Sequence, residues 1–511
     1  MPDAIITTVE GLGDLALEAR RAGRRIVLCH GTFDLLHMGH IRHLKRARRE
    51  GDVLFVSITA DGHVNKGPGR PVFCQEMRAE CLASLACVDA VAVHHGPTGV
   101  EVIEAVRPDV YAKGSDYRDP AADLTGNIER EREAVEAVGG RIVFTDEIAF
   151  SSTRLLNEHF GIFPPRTRHF LEGMQRRYGA ARIIEQLRAL RRLRVLVVGD
   201  TIIDEYHYTT PLGQPGKGYG LAVRLNAAER FAGGAVAVAN HLASFAGSVT
   251  LATGLGALGS HEGFVRERLL PGVEPRFFYS RRNSTLVKRR FVDGDLNKLF
   301  EIYLREGDDG DPAQDADAAR YLAGEAGRFD LVVVPDFGNG FVGPRMVDAL
   351  CDASPYLAVN TQINSGNRGY HTIHRYPRVD FVSLNEPELR LAAHNRSDPV
   401  DVLAERIGSK LGSRAVATTL GTEGLRVLDR ARDEVTHVPA LSTSVVDRIG
   451  AGDAFLSLAS LCLRGGMPTE LAAFVGGAAA ALAVQVVCNR EPVGPVKLFK
   501  YLSTLLRWGS D

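Results

Sequence analysis

Two stretches of this chain begin alike, and that likeness constrains the fold more than any other feature. Arg25-Ile-Val-Leu-Cys29 is a short apolar run that opens onto a glycine turn, His30-Gly-Thr-Phe-Asp34. Arg194-Val-Leu-Val-Val198 is another, and it opens onto Gly199-Asp200. A continuous apolar run suits a strand buried on both faces of a parallel sheet, and ligands bind beyond the C-terminal ends of such strands. The chain therefore reads as α/β, with two doubly wound domains. Its 511 residues are enough for two or three.

After the first start, strand-like runs at 53–58, 90–94, 110–112 and 141–144 alternate with helical stretches at 41–49, 75–85 and 129–138. That alternation predicts a small doubly wound domain over 25–160. Pro164-Pro165 breaks the pattern. Residues 161–192 read as a basic helical linker, with Arg176, Arg177, Arg182, Arg188, Arg191 and Arg192 on a solvated face. The second domain is expected over 193–505, with strands at 249–253, 331–334, 357–360, 381–384 and 415–419.

Charge and cysteine usage narrow the function classes. Lys and Arg number 61 against 62 Asp and Glu, a net charge of −1, which argues against holding nucleic acid by bulk charge. The seven cysteines include no CxxC pair, so neither a disulfide framework nor a structural zinc site is expected, and a reducing cytoplasm is the simplest home. The N-terminus lacks the basic-then-apolar order of a signal peptide. Residues 471–488 carry no charge, but they are mostly Ala, Gly and Val and read as a tightly packed helix, not a membrane span.

The densest chemical signal is His30-Gly-Thr-Phe-Asp-Leu-Leu-His37-Met-Gly39-His40, which leaves a strand and opens a helix. Gly31 permits a tight turn and Gly39 lets backbone approach a phosphate. His37 and His40 sit at the helix N-terminus, where free N–H groups and the dipole favour an anion, and two imidazoles there donate to phosphate oxygens as charge builds. Two other readings of the same residues stay open. His30, His37, His40 and His43 crowd together as metal ligands would, and helix caps or core histidines are the bland alternative. Further along, Lys66 and Arg70 lie in a loop, Arg78 on the next helix, and Lys113-Gly-Ser-Asp-Tyr117 after a strand. Ser151-Ser152-Thr153-Arg154 stands where hydroxyls and N–H groups cap a helix and bind phosphate.

GTFDLLHMGH with SSTR resembles the HxGH nucleotidyltransferases of the cytidylyltransferase-like superfamily. Arg70-Pro-Val72 and Lys113–Tyr117 look most like the heptose-1-phosphate adenylyltransferase branch. The resemblance implies a Rossmann-like domain in which a sugar phosphate attacks the α-phosphorus of a nucleoside triphosphate and pyrophosphate leaves. By it, His37 and His40 stabilise the transition state and Lys66 neutralises phosphate charge. Gly31, Thr32, Phe33, Asp34, Gly39, Arg78, Lys113, Ser151, Ser152 and Thr153 would line the nucleotide. A polyol-phosphate cytidylyltransferase is the alternative, but that branch carries an arginine shortly before its Ser/Thr motif, where this chain has Thr145-Asp-Glu-Ile-Ala-Phe150.

In the second half, Gly450-Ala451-Gly452-Asp453 precedes a long apolar helix. Small residues expose N–H groups as an anion hole, and Asp453 is placed to take a proton from a hydroxyl; a glycine turn with an Asp cap is the plain alternative. With Gly199-Asp200, Asp204, Gly233-Gly234, Asn385-Glu-Pro-Glu388 and Gly421-Thr-Glu-Gly424, the order resembles the ribokinase-like, PfkB-type sugar kinases. The resemblance implies Asp453 as base, Gly450, Ala451 and Gly452 as anion hole, Gly421 and Gly424 bordering the nucleotide, Asn385 and Glu388 organising Mg²⁺, and Asp204, Gly233 and Gly234 on the sugar. The stretch Thr285-Leu-Val-Lys-Arg-Arg-Phe looks closest to the heptose-7-phosphate kinase. That kinase carries an asparagine, two lysines and an aspartate where this chain has Ala237, Asn339 and Asn360-Thr361-Gln362. Both halves together imply a sugar phosphate and a nucleoside triphosphate, with ATP expected, as substrates, Mg²⁺ as cofactor and a homodimer, with neither nucleic acid nor membrane as partner. A non-catalytic kinase-like domain serving binding or dimerisation is the rival expectation.

Overall fold

The computed structural model describes residues 4–118, 126–145, 157, 163–307, 310–442 and 444–507. Two compact units emerge. One is built from residues up to Arg176 together with those from Phe499 onward, the other from Arg177–Leu498.

The first unit is a six-stranded sheet of β1 (Ile5–Thr7), β2 (Ile26–Gly31), β3 (Val53–Thr59), β4 (Ala90–His94), β5 (Val110–Gly114) and β6 (Arg141–Thr145), in the order β1-β4-β3-β2-β5-β6. Every pairing is parallel. Successive strand residues face opposite sides, so the run at β2 splits between two cores. Val27 and Cys29 join Leu54 and Val56 on one face, while Ile26 and Leu28 join Val53 and Phe55 on the other. The chain leaves β2 toward β3 and later returns to β5 on its other side, so the loop after β2 lies at the switch point where a crevice opens.

This unit is larger than the span 25–160. Strand β1 pairs with β4, and helix Val9–Arg21 buries Leu12, Ala16 and Ala19 against the second core. Three buried positions on a helix that also carries two glycines and five charged residues are a weak signal in sequence, although Thr8 caps it, accepting from Gly11 N at 3.1 Å. The linker region forms two helices, Pro165–Arg177 and Ala180–Ala189, separated at Gly179, whose φ is 68°.

The second unit has a long sheet and a small one. Strands β7 (Arg194–Gly213), β8 (Ala222–Gly234), β9 (Ser248–Gly256), β10 (Val273–Ser280), β11 (Leu286–Val292), β12 (Lys298–Leu304), β13 (Leu331–Asp336), β14 (Leu357–Thr361), β15 (Phe381–Asn385), β16 (Ala415–Thr419), β17 (Leu425–Asp429) and β18 (Glu434–Val438) build them. The main order is β10-β9-β7-β13-β14-β15-β16-β17-β18, parallel as far as β16. The first half of β7 is central in it. Its second half pairs with β8 and β11 instead, and β12 extends β11. The alternating exposure of β12 and the open face of β8 belong to this smaller sheet, and they lack the apolar runs that mark the main one.

Residues 471–488 begin inside the buried helix Thr469–Ala483. A Cβ at Gly476 would lie 2.9 Å from the Phe455 ring, so the small residues serve close packing against helix Ala451–Arg464. No helix among the described residues is long and apolar enough to cross a membrane.

Candidate active sites

In the first unit, the turn after β2 delivers His37 as the N-cap of helix Met38–Arg48. Gly39 N donates to His37 Nδ1 at 3.1 Å, which leaves the ring proton of the neutral imidazole on Nε2. One turn on, the His40 ring stacks on that of His37, with centroids 4.1 Å apart and planes 28° from parallel. Burial pushes His37 below the usual histidine range, helped by Lys66. Burial, with His37, Lys66 and His43 nearby, pushes His40 down to about 3. Both are therefore neutral at physiological pH, and His40 also hydrogen-bonds the Leu35 backbone. Phe33 holds the turn in shape: its φ is 49°, a strained value for a bulky residue, and its ring packs on His40 and over Gly31.

Asp34 ties this turn to the loop that carries Lys66. Its Oδ1 accepts from Val72 N at 2.7 Å and Phe73 N at 3.1 Å, and its Oδ2 lies 3.8 Å from Arg70 Nη1. Arg70 also donates to Asn157 Oδ1 at 3.1 Å, and Asn157 Nδ2 donates to Thr504 O at 2.9 Å. Gly67, with φ 89°, accepts the Tyr501 ring so closely that a Cβ would sit 1.9 Å from Cδ2. Burial, opposed by Asp34 and reinforced by Arg70, Arg507 and Lys500, pushes the Lys66 ammonium down to about 8.

In the second unit, Gly450 adopts φ 90° ahead of helix Ala451–Arg464, because a Cβ there would meet Asn489 Oδ1 at 2.3 Å. The first intrahelical bond is Ala454 N to Gly450 O at 3.0 Å, so the amides of Ala451, Gly452 and Asp453 precede it. A Cβ at Gly452 would meet nothing within 4 Å, so the space beside this helix start is open. Asp447 orients the loop: its Oδ2 accepts from Tyr206 Oη at 2.6 Å and Cys488 N at 2.9 Å. Burial, then the nearby Asp204, pushes Asp453 up to about 7, with Lys288 pulling the other way. Asp204 forms a buried ion pair with Arg290, and Lys288 stands opposite Asp204 in the β7–β11 register. Gly233 is required here, since a Cβ would lie 2.0 Å from Asp204 Oδ2.

The sequence profile of the pfkB family carbohydrate kinases matches residues 192–493. The chain belongs to the pfkB family. A cytidylyltransferase-like profile matches residues 28–158, so the pfkB unit follows a nucleotidyltransferase-like one. The "Bifunctional protein HldE" of Syntrophotalea carbinolica is 38% identical over 153 residues, 30% of each chain. Its namesake in Methylobacillus flagellatus is 42% identical over 136 residues, 26% of each chain. The matches span less than a third of the length of these curated relatives. The structure of Arabidopsis thaliana ribokinase complexed with ribose and ATP is 18% identical, with a TM-score of 0.47, covering 61% of this chain and 99% of that one.

Several expected residues stand elsewhere than the motifs imply. Arg78 does not face the crevice: its guanidinium is 1% exposed and spends its donors on Phe73 O, Thr32 O, Thr59 O and Asp61 Oδ1, clasping the loops together. Lys113 is likewise turned inward, its Nζ 2.8 Å from Glu131 Oε2 and packed against the Tyr111 and Tyr117 rings. His30 and His43 pair with the hydroxyls of Ser57 and Thr145, at 2.9 and 2.7 Å, so the four histidines do not converge. Ser151, Ser152 and Thr153 lie outside the described residues.

In the pfkB unit, Asn385 and Glu388 form a capping box: Asn385 Oδ1 accepts from Glu388 N, and Glu388 Oε2 accepts from Asn385 N, both at 2.9 Å. Glu388 Oε1 accepts from Ile363 N at 3.3 Å, and burial pushes the carboxyl up to about 7. Each of these oxygens thus accepts one amide hydrogen and keeps a second lone pair. Gly424 is a structural turn, its Cβ position 2.1 Å from Val438 O, whereas that of Gly421 is open. Gly234, at φ 62°, likewise serves backbone closeness to Asp200 O. Missed by sequence reasoning were Lys288 and Arg290. Their i, i+2 spacing puts both on one face of a strand, but only the pairing of β11 with β7 shows that this face meets Asp204.

Proposed function

We propose that the first unit transfers a nucleotidyl group from a nucleoside triphosphate to a sugar 1-phosphate, with heptose 1-phosphate and ATP as the pair, and that the pfkB unit phosphorylates a sugar hydroxyl. The observation that carries the first part is the stacked, neutral His37–His40 pair at a helix N-terminus. An oxygen of the sugar phosphate attacks the α-phosphorus in line, the bond from that phosphorus to the bridging oxygen breaks, and pyrophosphate leaves. Charge that grows on the α-phosphoryl oxygens is met by imidazole N–H donors and by the Met38–Arg48 amides. Lys66 adds a cation to the polyphosphate, which arrives as its Mg²⁺ complex.

In the pfkB unit, Asp453 takes the proton of the attacking hydroxyl, and its carboxyl near 7 suits that task at neutral pH. The amides at Ala451 and Gly452 receive the transferred phosphoryl group. Purified protein supplied with heptose 1-phosphate should release pyrophosphate with ATP, and His37→Ala and His40→Ala should each slow it by roughly a hundredfold or more. Turnover confined to CTP and glycerol 3-phosphate would instead select the polyol-phosphate reading, and no turnover with any triphosphate would end the proposal.

A further inference from the structure

From Phe499 onward the chain is part of the first unit, although in sequence these residues follow the pfkB profile. Phe499, Tyr501, Leu502, Leu505 and Leu506 are all buried, so the segment is a packed element and not a trailing end. It meets the loop that carries Lys66. Gly67, at φ 89°, leaves the place of its Cβ to the Tyr501 ring, and only glycine allows both that backbone angle and that approach. A second contact runs through the buried Asn157. Its Nδ2 donates to Thr504 O at 2.9 Å and to Arg507 O at 3.3 Å. Thr504 stands in the last turn of helix Pro495–Leu505, where carbonyls need partners from outside the helix. Asn157 Oδ1 accepts from Arg70, whose guanidinium also faces Asp34 in the turn before His37. Contacts thus run without a break from the end of the chain to the Lys66 loop and on to the histidine turn. Lys66 itself feels the charges of Arg70, Arg507 and Lys500, with Asp34 opposing them. Cations gathered about a buried ammonium cost free energy until an anion joins them.

We propose that residues 499–507 form one wall of the triphosphate site in the first unit: Tyr501 positions the Lys66 loop, and Lys500 and Arg507 add positive charge beside Lys66 for the polyphosphate. The proposal rests on the nucleotidyltransferase reading of this unit. Tyr501 is a positioning residue, because its ring packs on Gly67 and so fixes the backbone that carries the neighbouring Lys66. Position matters there, since a misplacement of about 1 Å in a group that meets developing charge costs up to about a hundredfold in rate. Lys500 and Arg507 act differently, by charge and not by packing. The cytidylyltransferase-like profile over 28–158 contains none of these three residues, so a unit cut at the end of that profile would lack this wall.

The test uses the full chain, with a non-hydrolysable ATP analogue as probe and AMP as its competitor. The binding component lost in Lys66→Ala marks the first unit's site, and its absence from wild type would overturn the proposal. Tyr501→Ala should weaken that component about tenfold and slow pyrophosphate release by at least as much. It should also flatten the fall in affinity across pH 7 to 9.5, because Lys66 is then less buried and keeps its proton. Tyr501→Phe, which retains the ring, should match wild type in all three. Lys500→Gln combined with Arg507→Gln should weaken the analogue about tenfold and AMP by less than about twofold. Unchanged analogue affinity in both Tyr501→Ala and the double variant would overturn the proposal. A loss in Tyr501→Ala alone would overturn the role of the two cations, and a loss in the double variant alone the role of Tyr501. Equal losses of analogue and AMP in the double variant would likewise overturn the charge role. Should Tyr501→Ala not fold, the double variant, which removes charge and no packed ring, decides. If wild type releases no pyrophosphate but the Lys66-dependent component still needs Tyr501 and both cations, the wall stands and the transferase reading falls.

Discussion

Lys66 offers the sharpest quantitative test of the first site. Its ammonium is pushed down to about 8 from an ordinary 10.5, so in the free protein it loses its proton as pH rises through that value. His37 and His40 are already neutral there, so neither imidazole changes state across the window. Binding a triphosphate restores the charged form, because four negative charges replace the water that burial removed. If the bound-state value returns to about 10.5, affinity follows the ratio of the two titrations. Between pH 7 and pH 9.5 the triphosphate should bind about 25-fold more weakly, ~1.9 kcal/mol. In Lys66→Arg the cation never titrates, so the same window should change affinity by less than about twofold. Equilibrium binding of a non-hydrolysable triphosphate analogue to the full chain across this range provides the measurement. Parallel slopes for wild type and Lys66→Arg would refute the placement of Lys66 against the polyphosphate. The linkage also has a stability side. A lysine whose folded value lies below its unfolded value destabilises the fold most below pH 8, and that penalty fades between 8 and 10.5.

Two further outcomes follow from buried charge. Asp453→Asn should lower phosphoryl transfer by roughly 10²–10⁴-fold without touching pyrophosphate release, and wild-type kinase kcat should rise with pH through about 7 as the carboxyl ionises. Because that folded value exceeds the ordinary 3.8, the group's stabilising contribution is complete below 3.8 and is lost as pH climbs through 7, so the asparagine variant should lose less stability over that span in chemical denaturation. Glu131→Gln should destabilise the first unit by roughly 3–5 kcal/mol, since it strands the buried Lys113, whereas Lys113→Met with Glu131→Leu should fall within about 1 kcal/mol of wild type in the same measurement.

Much of both sites was legible because their parts are contiguous. His37 and His40 lie three residues apart at a strand–turn–helix junction, so helical geometry alone brings their rings together. Asp453 and the small residues before it share one helix start for the same reason. The buried strands were legible too, since 90–94 and 415–419 coincide with β4 and β16. The smaller sheet of the pfkB unit was not, because strands exposed on one face dilute the apolar signal to that of a surface loop.

Local order along the chain thus determined the two α/β units, the imidazole pair and the glycine-framed acid, all of which depend on spacings of a few residues. Only tertiary structure decided where long charged side chains spend their charge. Arg78 and Lys113 turn inward to partners 17 and 18 residues away, while Lys288 meets Asp204 across strands 84 residues apart. A cation's role is set by the nearest opposite charge in space, and a linear sequence carries no record of that distance.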